Sequence, residues 1–310
     1  MGSITEVYSS VCKELKLRTN RYILEVLQET EGKTGDITLK LTGNDRLRKV
    51  EKVTNKDALA LSRTLRDNDS VTGLDLRYNC ITDEGAEHLA DLLQENVCLR
   101  SLDLMCNDIQ TDGAEYIAKS LTSNEALLSL RLTGNKIGNR GAMHLASMLQ
   151  RNSTLQELDM ADSDLILDLA SNRIEDDGAL YLSQAIALPT CNLKALSIPS
   201  NNIATVGLVS LSRAMQANNT LTHIYIWGNR LEEPVCQAFS DLLSSGRLSS
   251  EQTDVCVYEV DGCVCLAEVF HGLKRHYYWT PSYGQNGNPA SNAALALTNT
   301  QLHLNSSHTP

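Results

Sequence analysis

Cysteine and histidine side chains near the C-terminal end of the chain are the first candidates for chemistry. Structural zinc sites usually pair cysteines as Cys-x2-4-Cys, and the Cys-x-Cys spacing here does not match. The segment VCVYEV-Asp261-Gly262-CVCLAEV favours a two-residue hairpin, which places three of the cysteines on one face with Tyr258. We predict small apolar packing on that face, and a disulfide or a zinc ion stays open as the alternative. The candidate set is Cys256, Cys263, Cys265, His271 and His276.

Polar and aromatic residues that alternate with leucines form a second candidate group. The group includes Asp75, Asp103 and Asp168. Acid-base catalysis needs carboxylates that converge on one point, whereas these three aspartates form a periodic column without a nucleophile or a pocket. We therefore predict no catalytic residue, no metal and no cofactor. The column is predicted to bind a protein partner, and a solvated face is the alternative. The predicted partner-binding residues are Asp75, Arg77, Asp103, Met105, Arg131, Asp168, Tyr225 and Trp227.

Regularly spaced asparagines reveal the elements that must position these residues. Apolar residues recur five and three positions before each asparagine and two positions after it, a strand-like alternation. The asparagine side chains are expected to bond backbone groups of the turn and to form a structural ladder along a stack of units. The ladder residues are Asn79, Asn107, Asn135, Asn172, Asn201 and Asn229, with successive spacings of 28, 28, 37, 29 and 28.

The second half of each unit has the spacing of an amphipathic helix. Gly85-Ala86, Leu89-Ala90 and Leu93 recur as Gly113-Ala114, Ile117-Ala118 and Leu121, and again as Gly141-Ala142, Leu145-Ala146 and Leu149. One strand and one helix cannot bury their own apolar face, but stacked units can. We predict strands at 74–76, 102–104, 130–132, 167–169, 196–198 and 224–226. Helices are predicted at 83–94, 112–122, 140–150, 177–187, 206–216 and 234–244.

The pattern LxxLxLxxNxI with a 28-residue period resembles the ribonuclease-inhibitor type of leucine-rich repeat, over about residues 37–245. The resemblance implies an α/β solenoid shaped like a horseshoe, with parallel strands on its concave side. The strong repeat frame, with variable surface positions and no catalytic constellation, predicts a non-enzymatic interaction scaffold. Leu39, Leu41 and Asn44 begin a variant first unit whose helical stripe arrives seven residues late, so the segment DRLRKVE is predicted to lie within a longer loop.

One unit, near 151–175, is too short for a strand and a helix. Asn172 follows Ser163, which stands at the place of an asparagine, by only nine residues. Neighbouring parallel strands need a crossover of about a dozen residues or more, so the unit is predicted to be truncated, by a deletion or an alternative transcript. We favour 167–169 as the regular strand and 151–165 as a strained loop. We expect the ladder to break here and the solenoid to be weakest.

The ends of the repeat region differ from the units between them. We predict a helical cap at 1–36, repeats at 37–245, a hairpin cap with an aromatic segment at 246–284, and a disordered tail at 285–310. The segments VYEVDG and GLKRHYYWTPSYG resemble a group of vertebrate leucine-rich repeat proteins. That resemblance implies an intracellular, non-enzymatic protein, with the nucleolus among its compartments.

Charge and composition narrow the function. The formal net charge is −11, which disfavours direct nucleic-acid binding and favours a basic protein partner. No apolar run suits a membrane span or a signal peptide, and nine cysteines then suggest reduced thiols in the cytoplasm or nucleus. Because both ends of the stack are predicted to be capped, a monomer is expected. The alternative function is a GTPase-activating regulator resembling that of the Ran system, with Arg77 or Arg131 acting in trans.

The last repeat is the most promising docking place by sequence. Ile224 and Ile226 are predicted to point into the core, so that His223, Tyr225 and Trp227 point outward. Exposed aromatic side chains supply much of the binding energy of protein interfaces. Two interpretations stay open: a partner docks on these aromatics, or the C-terminal hairpin or HYYW segment folds back over them.

Overall fold

A computed structural model describes residues 2–152, 154 and 166–269, and seven short parallel strands form its main sheet. The sheet order follows the chain order from β1 to β7. Each of the six predicted strands ends one residue before its predicted end, so these strands are confirmed with a small shift. Their bounds are Ile37–Lys40 (β1), Val71–Asp75 (β2), Ser101–Asp103 (β3), Ser129–Arg131 (β4), Ile166–Asp168 (β5), Ala195–Ser197 (β6) and His223–Tyr225 (β7).

Helices alternate with these strands, and a hairpin follows the last helix of the described chain. Two helices precede β1, and the helices of the repeat units begin and end within two residues of the predicted bounds. The helices are Ile4–Glu14 (α1), Arg21–Thr30 (α2), Asn55–Leu65 (α3), Asp83–Glu95 (α4), Thr111–Leu121 (α5), Gly138–Leu149 (α6), Glu175–Ile186 (α7), Thr205–Ala217 (α8) and Glu233–Ser244 (α9). The hairpin strands are Val255–Val260 (β8) and Cys263–Glu268 (β9).

The core lies between the sheet and the row of helices. Leu76, Leu104 and Ile109 are fully buried there, as the period of the sequence predicts. Neighbouring helices approach closely because the helices from α4 to α8 each carry a glycine near the start. A Cβ atom added at Gly178 would lie 3.0 Å from the Cβ atom of Ala142 on the preceding helix. The glycine-alanine pairs therefore set the distance between successive units.

The ladder asparagines bond the backbone of two neighbouring units at once. The amide nitrogen of Asn107 donates to the carbonyl oxygens of Leu76 and Leu104, both at 3.0 Å. Its carbonyl oxygen accepts from the backbone N–H of Ile81, which belongs to the preceding unit, at 3.1 Å. The same arrangement recurs at Asn79, Asn135, Asn172, Asn201 and Asn229.

A second asparagine series lies at the other end of the helices, and the sequence analysis missed it. The amide nitrogen of Asn124 donates to the carbonyl of Leu93 at 2.7 Å, while its oxygen accepts from the N–H of Leu127 at 2.8 Å. The signal was available, because asparagines recur at intervals of 28 residues here as well. The side chains of this series that bond the preceding unit belong to Asn96, Asn124, Asn152 and Asn218.

The expected break at the truncated unit is wrong. Strand β4 pairs directly with β5, with Leu130 opposite Leu167. The amide nitrogen of Asn172 donates to the carbonyl of Leu132 at 2.9 Å, so the ladder continues across the unit. The hydrogen bonds of the ladder require that the turns of successive units lie side by side. They do not require a constant number of residues between successive asparagines. The preference for the later strand is confirmed, whereas the loop expected at 151–165 lies mostly outside the described residues.

At the N-terminal end of the sheet, helices α1 and α2 cover the first unit. Tyr8 and Ile23 are fully buried in the same core as the repeat leucines. The hydroxyl of Tyr22 donates to the carbonyl oxygens of Lys40 and Thr42, at 3.3 and 3.2 Å. These carbonyls belong to the first strand and the turn after it, which have no preceding repeat to bond. The tyrosine hydroxyl thus donates to carbonyl oxygens at the edge of the sheet that would otherwise be buried without a hydrogen bond.

At the C-terminal end, two side chains replace a following repeat. The carboxylate of Asp254 accepts from the backbone N–H groups of Ile226 and Trp227, at 2.8 and 3.0 Å. In earlier units the N–H group equivalent to that of Ile226 bonds a carbonyl of the next strand, as Leu76 does with Asp103. The guanidinium of Arg247 donates to the carbonyl of Leu221 at 2.7 Å, beside the last asparagine of the second series.

Truncation of a central leucine should weaken the whole stack. Leu104 is fully buried, so Leu104→Ala removes apolar contacts and leaves a cavity, at a cost of about 2–5 kcal/mol. The free energy of urea unfolding measures this cost. Val97→Ala, at an exposed apolar position, is the control and should change it little. Equal stability of the two variants would contradict the buried position of Leu104.

The carboxylate at the C-terminal edge should be hard to replace by its own amide. Asp254→Asn leaves one of two buried N–H groups facing an NH2 group, at a cost of about 1–3 kcal/mol. Asp261→Asn makes the same chemical change at an exposed turn position and serves as the control. Thermal unfolding should occur at a lower temperature for Asp254→Asn alone. If both variants melt with the parent chain, Asp254 does not hold the edge.

Candidate functional site

The register of the sheet gathers all eight predicted binding positions into two adjacent rows. The first, called here the charged row, contains Lys40, Asp75, Asp103, Arg131, Asp168, Ser197 and Tyr225. The second, called the turn-side row, follows from the backbone hydrogen bonds just beyond the strands. It contains Arg77, Met105, Thr133, Ala170, Pro199 and Trp227.

Ion pairs join three successive strands in the charged part of this surface. The guanidinium of Arg77 makes two hydrogen bonds to the carboxylate of Asp75, at 2.8 and 2.6 Å. It also lies 3.3 Å from the carboxylate of Asp103, which accepts a hydrogen bond from Arg131 at 3.1 Å. Asp103 therefore bridges two arginines, and its oxygen also accepts from the N–H of Met105.

Burial controls the electrostatics of this network. It raises the pKa of Asp103 to about 6, because charge is costly away from water, while the guanidinium of Arg131 acts against the rise. Burial alone would lower the pKa of Arg77, but the hydrogen bond to Asp75 and the nearby carboxylates raise it overall. The network is therefore held together by charged groups that are largely removed from solvent.

Three of the predicted contact residues are not presented to a partner, which corrects the sequence analysis. Met105 is fully buried, and Asp75 and Arg77 retain only 7% and 6% of their accessible surface. Adjacent strands lie about 4.8 Å apart, so long side chains in neighbouring rows cover one another. Asp103 and Arg131 keep 13% and 21% of their side-chain surface. The side chain of Asp168 lies outside the described part of the chain.

The aromatic end of the two rows is more accessible. Ile224 and Ile226 are fully buried, so the predicted alternation in β7 is confirmed. His223, Tyr225 and Trp227 are half-buried, and the rings of the first two have centroids 6.4 Å apart. Trp227 also packs in part against the core. Tyr225 and Trp227 therefore combine a rigid backbone with partly exposed aromatic surface.

The cysteines of the hairpin do not form a metal site with other described residues. Tyr258 pairs with Cys265 and Val260 with Cys263, which places the three hairpin cysteines on one face, as predicted. Cys263 is nonetheless exposed rather than packed, because it follows the turn. No group of three or more metal-binding side chains occurs within residues 2–152, 154 and 166–269. His271 and His276 lie outside these ranges.

The family comparison adds independent evidence for the repeat. A family model described as Leucine Rich repeat matches residues 67–90, 95–118, 123–146 and 165–183. The chain contains leucine-rich repeats. The matched leucine-rich repeats include β2 to β5 and most of α4 to α7. No helix within the described ranges is long and apolar enough to cross a membrane.

Several relatives of known sequence resemble parts of the chain. Leucine-rich repeat-containing protein 34 of Mus musculus is 52% identical over 113 residues, which cover 36% of this chain and 27% of the relative. The Homo sapiens protein of that name is 55% identical over 106 residues, which cover 34% of this chain and 23% of the relative. The match thus spans about a quarter of these relatives.

Two further similarities are weaker. NACHT, LRR and PYD domains-containing protein 14 of Homo sapiens is 34% identical over 79 residues, or 26% of this chain and 7% of the relative. Among solved structures, Leiomodin-1 Actin-Binding Site 2 is 23% identical with a TM-score of 0.37, and the match covers 46% of this chain and 80% of that chain.

The raised pKa of Asp103 predicts a specific pH dependence of stability. Its folded pKa of about 6 exceeds the ordinary 3.8, so between these values the folded chain holds a proton that the unfolded chain has released. The contribution of Asp103 to stability should therefore fall as the pH rises through that window. Asp103→Asn should remove this fall, which is at most about 3 kcal/mol at 1.4 kcal/mol for each pKa unit.

Urea unfolding at several pH values between 4 and 7 measures the slope for each variant. The control is Asp108→Asn, because the side chain of Asp108 is 58% exposed and should leave the slope of the parent chain unchanged. A parent slope that Asp103→Asn does not alter would show that Asp103 titrates normally in the folded chain.

Proposed function

We propose that this chain is a non-enzymatic scaffold whose repeats form a ribonuclease-inhibitor-like horseshoe that binds a protein partner on its concave face or rim. The observation that supports this most is the accessible aromatic pair Tyr225 and Trp227 at the end of a tightly bonded stack. Proteins with leucine-rich repeats generally mediate protein-protein interactions. The names of the relatives reported above also describe repeats rather than a reaction.

The partner should meet the C-terminal end of the sheet face. Tyr225 and Trp227 offer large contact areas on a backbone that does not need to be ordered on binding. Toward the middle of the charged row, Asp103 and Arg131 remain partly accessible, and Asp168 lies between Arg131 and Ser197 in the register. The formal net charge of −11 favours a basic partner surface, because opposite charge speeds encounter.

Further properties belong to the same proposal. We place the protein in the cytoplasm, the nucleus or both, with the nucleolus suggested by the resemblance of its C-terminal segment. Its acidic charge disfavours direct contact with nucleic acid, and we propose neither a membrane-bound role nor a cofactor. We propose a monomer, because Tyr22 and Asp254 satisfy backbone groups at the two ends of the sheet. A role as a nuclear or developmental adaptor is consistent with these properties.

The alternative, a GTPase-activating regulator resembling that of the Ran system, gains little support from the site. An arginine supplied in trans must reach the phosphates of another protein. Arg77 is buried in two hydrogen bonds to Asp75, and Arg131 bonds Asp103. Either arginine would have to leave its carboxylate partner first. A GTP hydrolysis assay with a panel of small GTPases tests this alternative, and acceleration that Arg131→Ala abolishes would favour it.

Substitution of Tyr225 should separate binding from stability. Tyr225→Ser removes exposed aromatic surface, and we expect the affinity for the partner to fall about tenfold or more. The control is Tyr181→Ser, since Tyr181 is an exposed tyrosine of α7, on the helix side of the molecule. Proximity labelling with each variant identifies proteins lost with Tyr225→Ser alone. Titration of the purified partner then measures its affinity for the three proteins.

The outcomes of this experiment are distinct. Loss of binding with an unchanged melting temperature supports docking on the sheet face. A melting temperature lowered by several degrees with Tyr225→Ser would instead support a cap that folds over the aromatics. Trp227→Phe is a useful second variant, because it retains the apolar packing of Trp227 on the core while it changes the contact surface. If Tyr181→Ser alone reduces binding, the partner binds the helix side.

A further inference from the structure

The hairpin that follows the last helix carries an apolar strand that is poorly covered. Val257, Tyr258 and Val260 of β8 expose 39%, 46% and 50% of their surface, although β9 packs against α9 and buries Leu266. Asp261 and Gly262 both adopt positive φ angles, as a tight two-residue hairpin turn requires. The turn and the packing of β9 hold β8 in an extended conformation at the surface.

The outer edge of β8 carries backbone groups that point away from β9. In an antiparallel pair, hydrogen-bonded and non-hydrogen-bonded positions alternate. The N–H of Val269 donates to the carbonyl of Asp254 at 3.0 Å, just before the register in which Val255 lies opposite Glu268. By alternation, Val257 and Glu259 direct their N–H and C=O groups to the open edge. Among the described strands, β8 pairs only with β9.

Along the hairpin and the residues just before it, charge is of one sign. Residues 248–269 contain five acidic residues and no lysine, arginine or histidine. Glu259 lies on the open strand itself and Asp261 in the turn, and both side chains are exposed. A segment that paired with β8 would therefore place its own side chains beside carboxylates.

We propose that the open edge of β8 is a second binding site, which receives an extended basic peptide segment of a partner protein as an added strand. The backbone of Val257 and Glu259 supplies the hydrogen bonds, and the side chains of Tyr258 and Val260, which share one face of β8, meet alternate apolar residues of the peptide. Lysine or arginine at the other positions meets Glu259 and Asp261. A second copy of this chain fits less well, because its β8 would place further carboxylates, and no basic side chain, beside Glu259 and Asp261. The site is separate from the face proposed above.

The probe for this site is a fluorescently labelled peptide of alternating lysine and valine, titrated against the full chain. Val257→Pro is the informative variant, because proline removes an N–H that faces the open edge and leaves the hydrogen bonds between β8 and β9 in place. Val257→Thr is the matched control, since it keeps both the N–H and the β-branched shape. We expect binding to weaken about tenfold with proline, the loss of one backbone hydrogen bond, and to persist with threonine.

Two altered peptides test the chemistry of recognition. A peptide of alternating glutamate and valine should bind much more weakly, and added salt should weaken the lysine peptide. Two further versions of the lysine peptide carry backbone N-methyl groups, one on all lysines and the other on all valines, so that each version blocks the N–H groups along one edge of the peptide strand. Binding should be lost in the version whose blocked edge faces β8. Equal binding of the acidic and basic peptides, or of Val257→Pro and the parent, would overturn the proposal.

Two further measurements identify other occupants of the edge. Sedimentation velocity that shows a dimer of the full chain and a monomer of Val257→Pro would assign the edge to a second copy. If the peptide binds only after Lys274→Glu and Arg275→Glu are introduced together, the basic segment of the same chain occupies the edge. Either result would overturn a partner peptide as the occupant. A partner peptide is supported as the occupant if the full chain binds the lysine peptide, Val257→Pro weakens this binding and Val257→Thr retains it.

Discussion

Hydrogen bonds between asparagine side chains and the backbone of the neighbouring unit are the constraint on which this structure depends. Each ladder asparagine satisfies carbonyls in two units and an N–H group in the preceding one, as Asn107 does with Leu76, Leu104 and Ile81. These backbone groups are buried at the turn after each strand, and left unpaired they would destabilise the fold. A unit is therefore complete only beside another unit, which also explains why the stack tolerates the irregular chain length before Asn172.

The dependence on neighbours creates a problem at both ends of the sheet. The first unit has carbonyls without a donor, and the last has N–H groups without an acceptor. Side chains of opposite chemistry satisfy them: the hydroxyl of Tyr22 donates at one end, and the carboxylate of Asp254 accepts at the other. The chain then continues into the hairpin of β8 and β9, and among the described strands the outer edge of β8 has no neighbouring strand.

The sheet face shows how a regular frame produces unequal surfaces. Asp75, Arg77, Asp103 and Arg131 occupy neighbouring positions, and opposite charges pair across three strands instead of remaining in solvent. At the far end of the same rows, Tyr225 and Trp227 carry no charge and stay half-buried. A partner on this face would meet charged side chains that already pair with one another at the centre, and aromatic side chains at the end. The centre therefore contributes more to the integrity of the frame than to contact area.

The sequence by itself determined the repeating strand-helix unit, the buried leucines and the positions of the ladder asparagines, because each depends on spacing within one unit. The alternation in β7 followed from Ile224 and Ile226 for the same reason. Only the tertiary structure decided the burial of Met105, the two hydrogen bonds between Arg77 and Asp75, and the direct pairing of β4 with β5. These features depend on which units are neighbours in space and on how closely their side chains approach, and spacing along the chain does not specify either.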